Sequence, residues 1–217
     1  MAREALRLAS QVADGKAEVW VSLGPVMLEG LDQEFPDWND LHETAQAFLD
    51  AMMLLNLKID GILLETCSSA RALSAVAYLR HHVVGDEIPI HLSIAYQNKG
   101  GDLVSHQGQK PETFARHAAS HGVSMLGANC GREIDLDDML EIAHRYRGET
   151  DLPIFVRPNA GSPQSVEGQW VYPVTPEEMG ARAFDLFEAG VSAIGGCCGT
   201  TPAHIAALRK SREEYLS

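Results

Sequence analysis

The sequence predicts an α/β fold of parallel strands joined by crossover helices, and three observations predict it. Short apolar runs alternate strictly with helix-like segments, giving six strand–helix units within 217 residues. The runs are continuously apolar, as in strands buried on both faces. The polar, chemistry-bearing residues sit where those runs end, the face on which parallel α/β folds build their sites. Two architectures satisfy this rhythm, an open doubly wound sheet and a (β/α)8 barrel. No G-x-G-x-x-G follows any run, which disfavours a dinucleotide-binding sheet.

Each element follows from local sequence. A short helix over Ala2–Val12 precedes the first strand, "AEVWVSL" at Ala17–Leu23. A loop with Gly24, Pro25 and Gly30 leads to a helix from about Asp40 to Asn56. "IDGILLE" (Ile59–Glu65) is the second strand, followed by a helix over Ser69–Val84. "IPIHLSIAY" (Ile88–Tyr96) is the third, and the polar, glycine-rich "QNKGGDLVSHQGQK" after it reads as a loop. Pro111 opens the next helix, because the first turn tolerates a missing N–H. "GVSMLGANC" (Gly122–Cys130) is the fourth strand, and Leu136, Met139, Leu140 and Ala143 then keep helical spacing. "LPIFVRPNAG" carries the fifth strand into a Pro/Gly loop, and Thr175 caps a helix that Pro176 opens. "VSAIGG" is the sixth strand, with Thr201 and Pro202 starting the last helix.

Composition narrows the function. A chain of this length forms one domain, taken as residues 1–217. Seventeen Lys and Arg against 30 Asp and Glu give a net charge of −13, which argues against nucleic acid or an anionic membrane as main partner. No apolar run approaches the ~20 residues of a membrane span, and the N-terminus lacks the pattern of a secretory leader. A cytoplasmic location is therefore expected, with the four cysteines as reduced thiols.

Glu65, Thr66 and Cys67 end the second strand, Asn129 and Cys130 the fourth, Arg157 and Asn159 the fifth, and Cys197 and Cys198 the sixth. Cys130, Cys197 and Cys198 thus converge, and thiolates so gathered are zinc ligands. Adjacent strand residues point to opposite faces, so two neighbouring ligands require an irregular turn, which Gly195, Gly196 and Gly199 permit. Three protein ligands leave a fourth position open, the pattern of catalytic zinc. The plainer reading of the adjacent pair is small-residue packing, since free cysteine is often buried; a redox dithiol lacks its C-x-x-C spacing. Cys67 reads as structural. Of the histidines, His81, His82 and His106 read as exposed, His91 as a satisfied interior residue, and His204 as surface.

Three stretches, "GANC", "RPNAG" and "GGCCGTTPAHIAAL", resemble in this order the zinc motifs of the homocysteine S-methyltransferase family. "PNAGSPQ" and "YPVTPEEMGARAFDLFEAGVSAIGGCCGTTPAHI" resemble in particular the homocysteine-binding module of cobalamin-dependent methionine synthase. "VSLGP" and "DGILLET" are similar to family strands, so the resemblance runs from Trp20 to Leu208. It implies a (β/α)8 barrel, with zinc held by Cys130, Cys197 and Cys198. It maps the acid that holds the homocysteine amino group onto Glu65, beside Thr66, with Asn129 and Asn159 lining the same mouth. The implied activity is methyl transfer to a zinc-activated thiolate of homocysteine or a similar small thiol, forming methionine or a thioether. The donor is left open among a methylcorrinoid on a partner protein, S-methylmethionine and betaine.

The chain departs from that pattern in having six units rather than eight. The family's first strand, first helix and second strand have no counterpart, so a barrel lacking its first two strands is expected. Six strands do not close an eight-stranded barrel and leave two open edges. A second subunit, or another copy in a homo-oligomer, is the expected source of the missing strands. The alternative function is a noncatalytic zinc- or thiol-binding relative, or a subunit of a corrinoid-linked complex.

Overall fold

The structure, a computed structural model, describes residues 2–24, 38–56 and 58–217; Pro25 and Gly30 of the first loop lie outside them. Helix α1 (Ala2–Ala13) precedes strand β1 (Trp20–Leu23), α2 (Trp38–Leu55) and β2 (Gly61–Cys67). Helix α3 (Arg71–Leu79) runs into a π-helical turn at Arg80–Val84 and then β3 (Ile90–Lys99). After β4 (Asp102–Ser105) come α4 (Pro111–Ala118), β5 (Met125–Arg132), α5 (Leu136–Arg147) and β6 (Ile154–Arg157). A small hairpin, β7 (Gln164–Val166) and β8 (Gln169–Val171), leads to α6 (Pro176–Glu188), β9 (Val191–Ile194) and α7 (Pro202–Tyr215).

Six strands, in the order β1-β2-β3-β5-β6-β9, are parallel. The expected alternation is thus present, and the sheet curls into a half-barrel. Two contacts across its concave face define the curl. Trp20 of β1 stands edge-on to Phe155 of β6 at 6.3 Å between ring centroids, and Glu65 of β2 pairs with Arg157 of β6, although β3 and β5 lie between those strands. Among the described residues, β1 and β9 each pair on one side only.

The core lies on the convex face. Ile62, Leu64, Ile90, Leu92, Ile94 and Leu126 are buried there against apolar faces of the helices, including Ala75, Val76, Phe114 and Ile142. The concave face is lined at its floor by Trp20, His91 and Phe155, with the Trp20 and His91 rings 4.0 Å apart and tilted by 31°. Gly127 makes that floor possible, because a Cβ there would lie 2.4 Å from the Phe155 ring.

Helix starts follow the sequence signals. Asp135 and Asp138 form a capping box on α5, as do Thr175 and Glu178 on α6. Thr201 and His204 do the same on α7, each of the last two helices opening with proline. His204 is not a surface residue: Nε2 lies 3.0 Å from the Val174 carbonyl and Nδ1 bonds Thr201, so the ring is buried. His91 is interior, as expected, but not satisfied, since its Nδ1 has no hydrogen-bond partner among the described residues. The "QNKGGDLV" stretch is not a loop. It extends β3 and turns back through Gly100 and Gly101, both with positive φ, into antiparallel β4. Glu167 and Gly168 make the equivalent two-residue turn between β7 and β8.

Candidate metal centre

The site forms where the strand ends depart from regular pairing. Between β3 and β5, Ala95 faces Asn129 and Tyr96 faces Gly131, so Cys130 is the extra residue of a β-bulge. Between β2 and β3 the register also shifts between Leu64 and Cys67, at Glu65 and Thr66, and Thr66 takes a positive φ of 62°. A bulge re-aims a side chain that strict alternation would send to the opposite face. This is how neighbouring residues Asn129 and Cys130 both serve one site.

The second source of thiols is the turn after β9. Its backbone is tied to the end of β6: Gly195 N donates to Val156 O, Cys197 N to Pro158 O and Ala160 N to Cys198 O, each at 2.9 Å. Cys198 N donates to Asn159 Oδ1 at 3.1 Å, and the Thr200 hydroxyl closes the turn on the Cys197 carbonyl at 2.7 Å. Gly199 has φ +77°, and a Cβ there would lie 2.1 Å from Cγ of Tyr172. Only glycine fits both the conformation and the ring above it.

These two elements bring the sulfurs of Cys130, Cys197 and Cys198 within 4.8 Å of one another, with Cys197 and Cys198 at 3.9 Å. Four-coordinate zinc with bonds of about 2.3 Å separates thiolate sulfurs by about 3.8 Å. The donor set therefore fits that ion in type and spacing, and the cysteines are thiols rather than a disulfide. Without a cation the three share their protons unequally. Hydrogen bonding from Cys130, with help from Cys198 and the Arg157 charge, lowers the Cys197 pKa to about 5. The bond to Cys197, burial and the neighbouring charges push Cys130 up, and burial and the Cys197 charge push Cys198 up. Cysteines ligate as thiolates, so a divalent cation at this cluster would displace the protons that the three sulfurs share. Cys67 is buried, outside this cluster.

The remaining expected residues surround the cluster. Asn129 is fully buried; its Nδ2 donates to Thr66 Oγ1 at 2.8 Å and to Cys130 Sγ at 3.2 Å. Its Oδ1 accepts from Ser93 Oγ at 2.5 Å and Thr66 N at 3.2 Å. Glu65 accepts from the Ser22 hydroxyl and is ion-paired with Arg157. Ser22 and Ser93 were absent from the expected site, and Arg157 was placed at a strand end without a role. Their signal was parity: each is a polar residue in register with the inward-facing positions of its strand.

Comparison with known proteins agrees with this geometry. The family described as homocysteine S-methyltransferase matches residues 1–212. Methionine synthase of Mycobacterium tuberculosis is 32% identical over 159 residues, covering 71% of this chain and 13% of that protein. Methionine synthase of Mycobacterium leprae is 32% identical over 161 residues, with the same coverage. The chain thus spans 13% of the length of these relatives. Among solved structures, a Rhizobium etli pyruvate carboxylase superposes with TM-score 0.57 at 12% identity, over 90% of this chain and 17% of that one. The carboxyl transferase domain of Rhizobium etli pyruvate carboxylase gives 0.58 at 13% identity, over 97% and 37%. These last two speak to the fold alone.

Proposed function

Because the chain belongs to the homocysteine S-methyltransferase family, we propose that it moves a methyl group onto the sulfur of homocysteine, with Cys130, Cys197 and Cys198 as ligands of a zinc ion. The observation that carries this reading is the convergence of three sulfurs, from two strand ends, at the spacing of a metal site with one position to spare. Zinc, when bound, supplies a Lewis acid that holds a substrate thiol deprotonated at neutral pH.

The chain's own residues do the rest. A free thiol has a pKa of about 8.5 and the thiolate is the nucleophile. Asn129 orients Cys130 and fixes Thr66, while Asn159 holds the Cys198 amide and with it the turn. Glu65, at the mouth beside these residues, takes the substrate ammonium. The substrate sulfur then forms its bond to the methyl carbon as the bond from methyl to donor breaks, its electron pair staying with the donor. The thiol proton is lost to solvent. Donors of suitable chemistry are a sulfonium, a quaternary ammonium or a methylcorrinoid carried by a partner protein. The edges of β1 and β9, unpaired among the described residues, support an oligomer or second subunit that completes the sheet.

Zinc-loaded protein incubated with homocysteine and each donor class in turn should form methionine with one of them, measured by mass spectrometry. Stoichiometric zinc with no thiol methylated by any donor would favour a noncatalytic zinc- and thiol-binding role instead.

A further inference from the structure

Glu65 and Arg157 meet across the concave face between strands that are not neighbours. Neither is saturated. A carboxylate offers about four lone-pair positions and a guanidinium five N–H groups. Glu65 uses one oxygen for Arg157 and the other for the Ser22 hydroxyl. Arg157 spends Nη1 on Glu65 and Nε on the Gly196 carbonyl at 3.4 Å. Among the described residues, Nη2 has no partner. Both side chains remain partly open, at 32% for Arg157 and 18% for Glu65.

Their surroundings point to a ligand. The Arg157 stem lies over Gly195, where a Cβ would sit 3.3 Å from its Cγ, two residues before Cys197. Among the described residues, Arg157 is also the one charged side chain lining a cavity of about 240 Å³ walled by Trp20, Leu63, Phe155 and Ala193. Such a half-buried pair gives back in desolvation much of what it gains in attraction, so stability alone does not account for it. As a receptor it is well matched, since a zwitterion adds one anion and one cation to a pair of zero net charge.

We infer that Arg157 binds the α-carboxylate of the acceptor, so that Glu65 and Arg157 receive the two charged ends of an α-amino acid whose sulfur reaches the cysteine cluster. This rests on the thiol-acceptor reading above and deepens it. Arg157 becomes the residue that sets specificity for an amino-acid thiol over a simple amine thiol. The guanidinium suits this task because it grips a carboxylate through two parallel N–H bonds.

The test is calorimetric binding to the zinc-loaded full chain. The ligands are L-homocysteine, 3-mercaptopropylamine, which lacks the carboxylate, and 4-mercaptobutyrate, which lacks the amine. Wild type should bind homocysteine at least roughly tenfold more tightly than either analogue, the size expected for one charged hydrogen-bonded contact. Arg157→Met should bring homocysteine and 3-mercaptopropylamine within about twofold with zinc content unchanged, Arg157→Lys should keep part of the preference, and Glu65→Gln should erase the preference over 4-mercaptobutyrate. Wild type that binds 3-mercaptopropylamine as tightly as homocysteine overturns the assignment, even if no variant folds. So does an Arg157→Met protein that keeps the full preference. Failure of all three thiols to bind is a separate result, which overturns the thiol-acceptor reading itself.

Discussion

Asn129 donates from Nδ2 to the sulfur of the next residue, Cys130, at 3.2 Å, a contact that strand alternation alone would forbid. The bulge at Cys130 allows it, and the same amide fixes Thr66 on the neighbouring strand. Groups that hold a metal ligand commonly change metal affinity by ~10–100-fold when removed. Asn129→Ala should therefore weaken zinc binding by about tenfold or more, measured by competition with a chromogenic chelator. It should also cost about 1–3 kcal/mol of stability, because the buried Ser93 hydroxyl loses its acceptor.

Gly199 carries two separable constraints. Its positive φ penalises any L-residue by about 1–2 kcal/mol, and Tyr172 occupies the space of a Cβ. Gly199→Ala should lower both unfolding free energy and zinc affinity. Adding Tyr172→Ala should recover the part due to the clash and leave about 1 kcal/mol unrecovered. Full recovery would place the whole cost in the ring contact.

The cysteines divide three to one. Cys130→Ser, Cys197→Ser and Cys198→Ser should each lose stoichiometric zinc in elemental analysis, whereas Cys67→Ser should keep it. Cys67 is buried away from the cluster, so its replacement is expected to lower the melting temperature rather than the metal content.

His91 makes the stability depend on acid. Burial lowers its pKa to about 4, against an ordinary value of 6.5. The unfolded chain therefore takes up a proton first as pH falls. The contribution is fully present above 6.5, is lost between 6.5 and about 4, and is flat below. Relative to His91→Phe, wild type should lose up to ~3 kcal/mol across that window in denaturant titrations. Above pH 7 the variant should be no less stable, since Nδ1 of His91 is buried without a partner among the described residues.

Much of this was legible in sequence because it rests on periodicity and local chemistry. Continuous apolar runs marked the six parallel strands, and Thr175, Pro176, Thr201 and Pro202 marked helix starts. The glycines around Cys197 and Cys198 marked an irregular turn. What was missed depends on register or on distant partners. The hairpin through Gly100 and Gly101 hides in a polar stretch, although two adjacent glycines are the signal of a two-residue turn. His204 looked like a surface residue because its burial comes from Val174, thirty residues earlier. Arg157 entered the site through Glu65, 92 residues away, a contact that exists only once the sheet has curled.

On the proposed function, Cys130, Cys197 and Cys198 hold zinc with a fourth position reserved for a substrate sulfur. Zinc-edge X-ray absorption on the purified protein, before and after addition of L-homocysteine, tests it most directly. Three sulfurs and one lighter atom are expected at first, and four sulfurs once homocysteine is present. A first shell without three sulfurs, or one that homocysteine leaves unchanged, would contradict it.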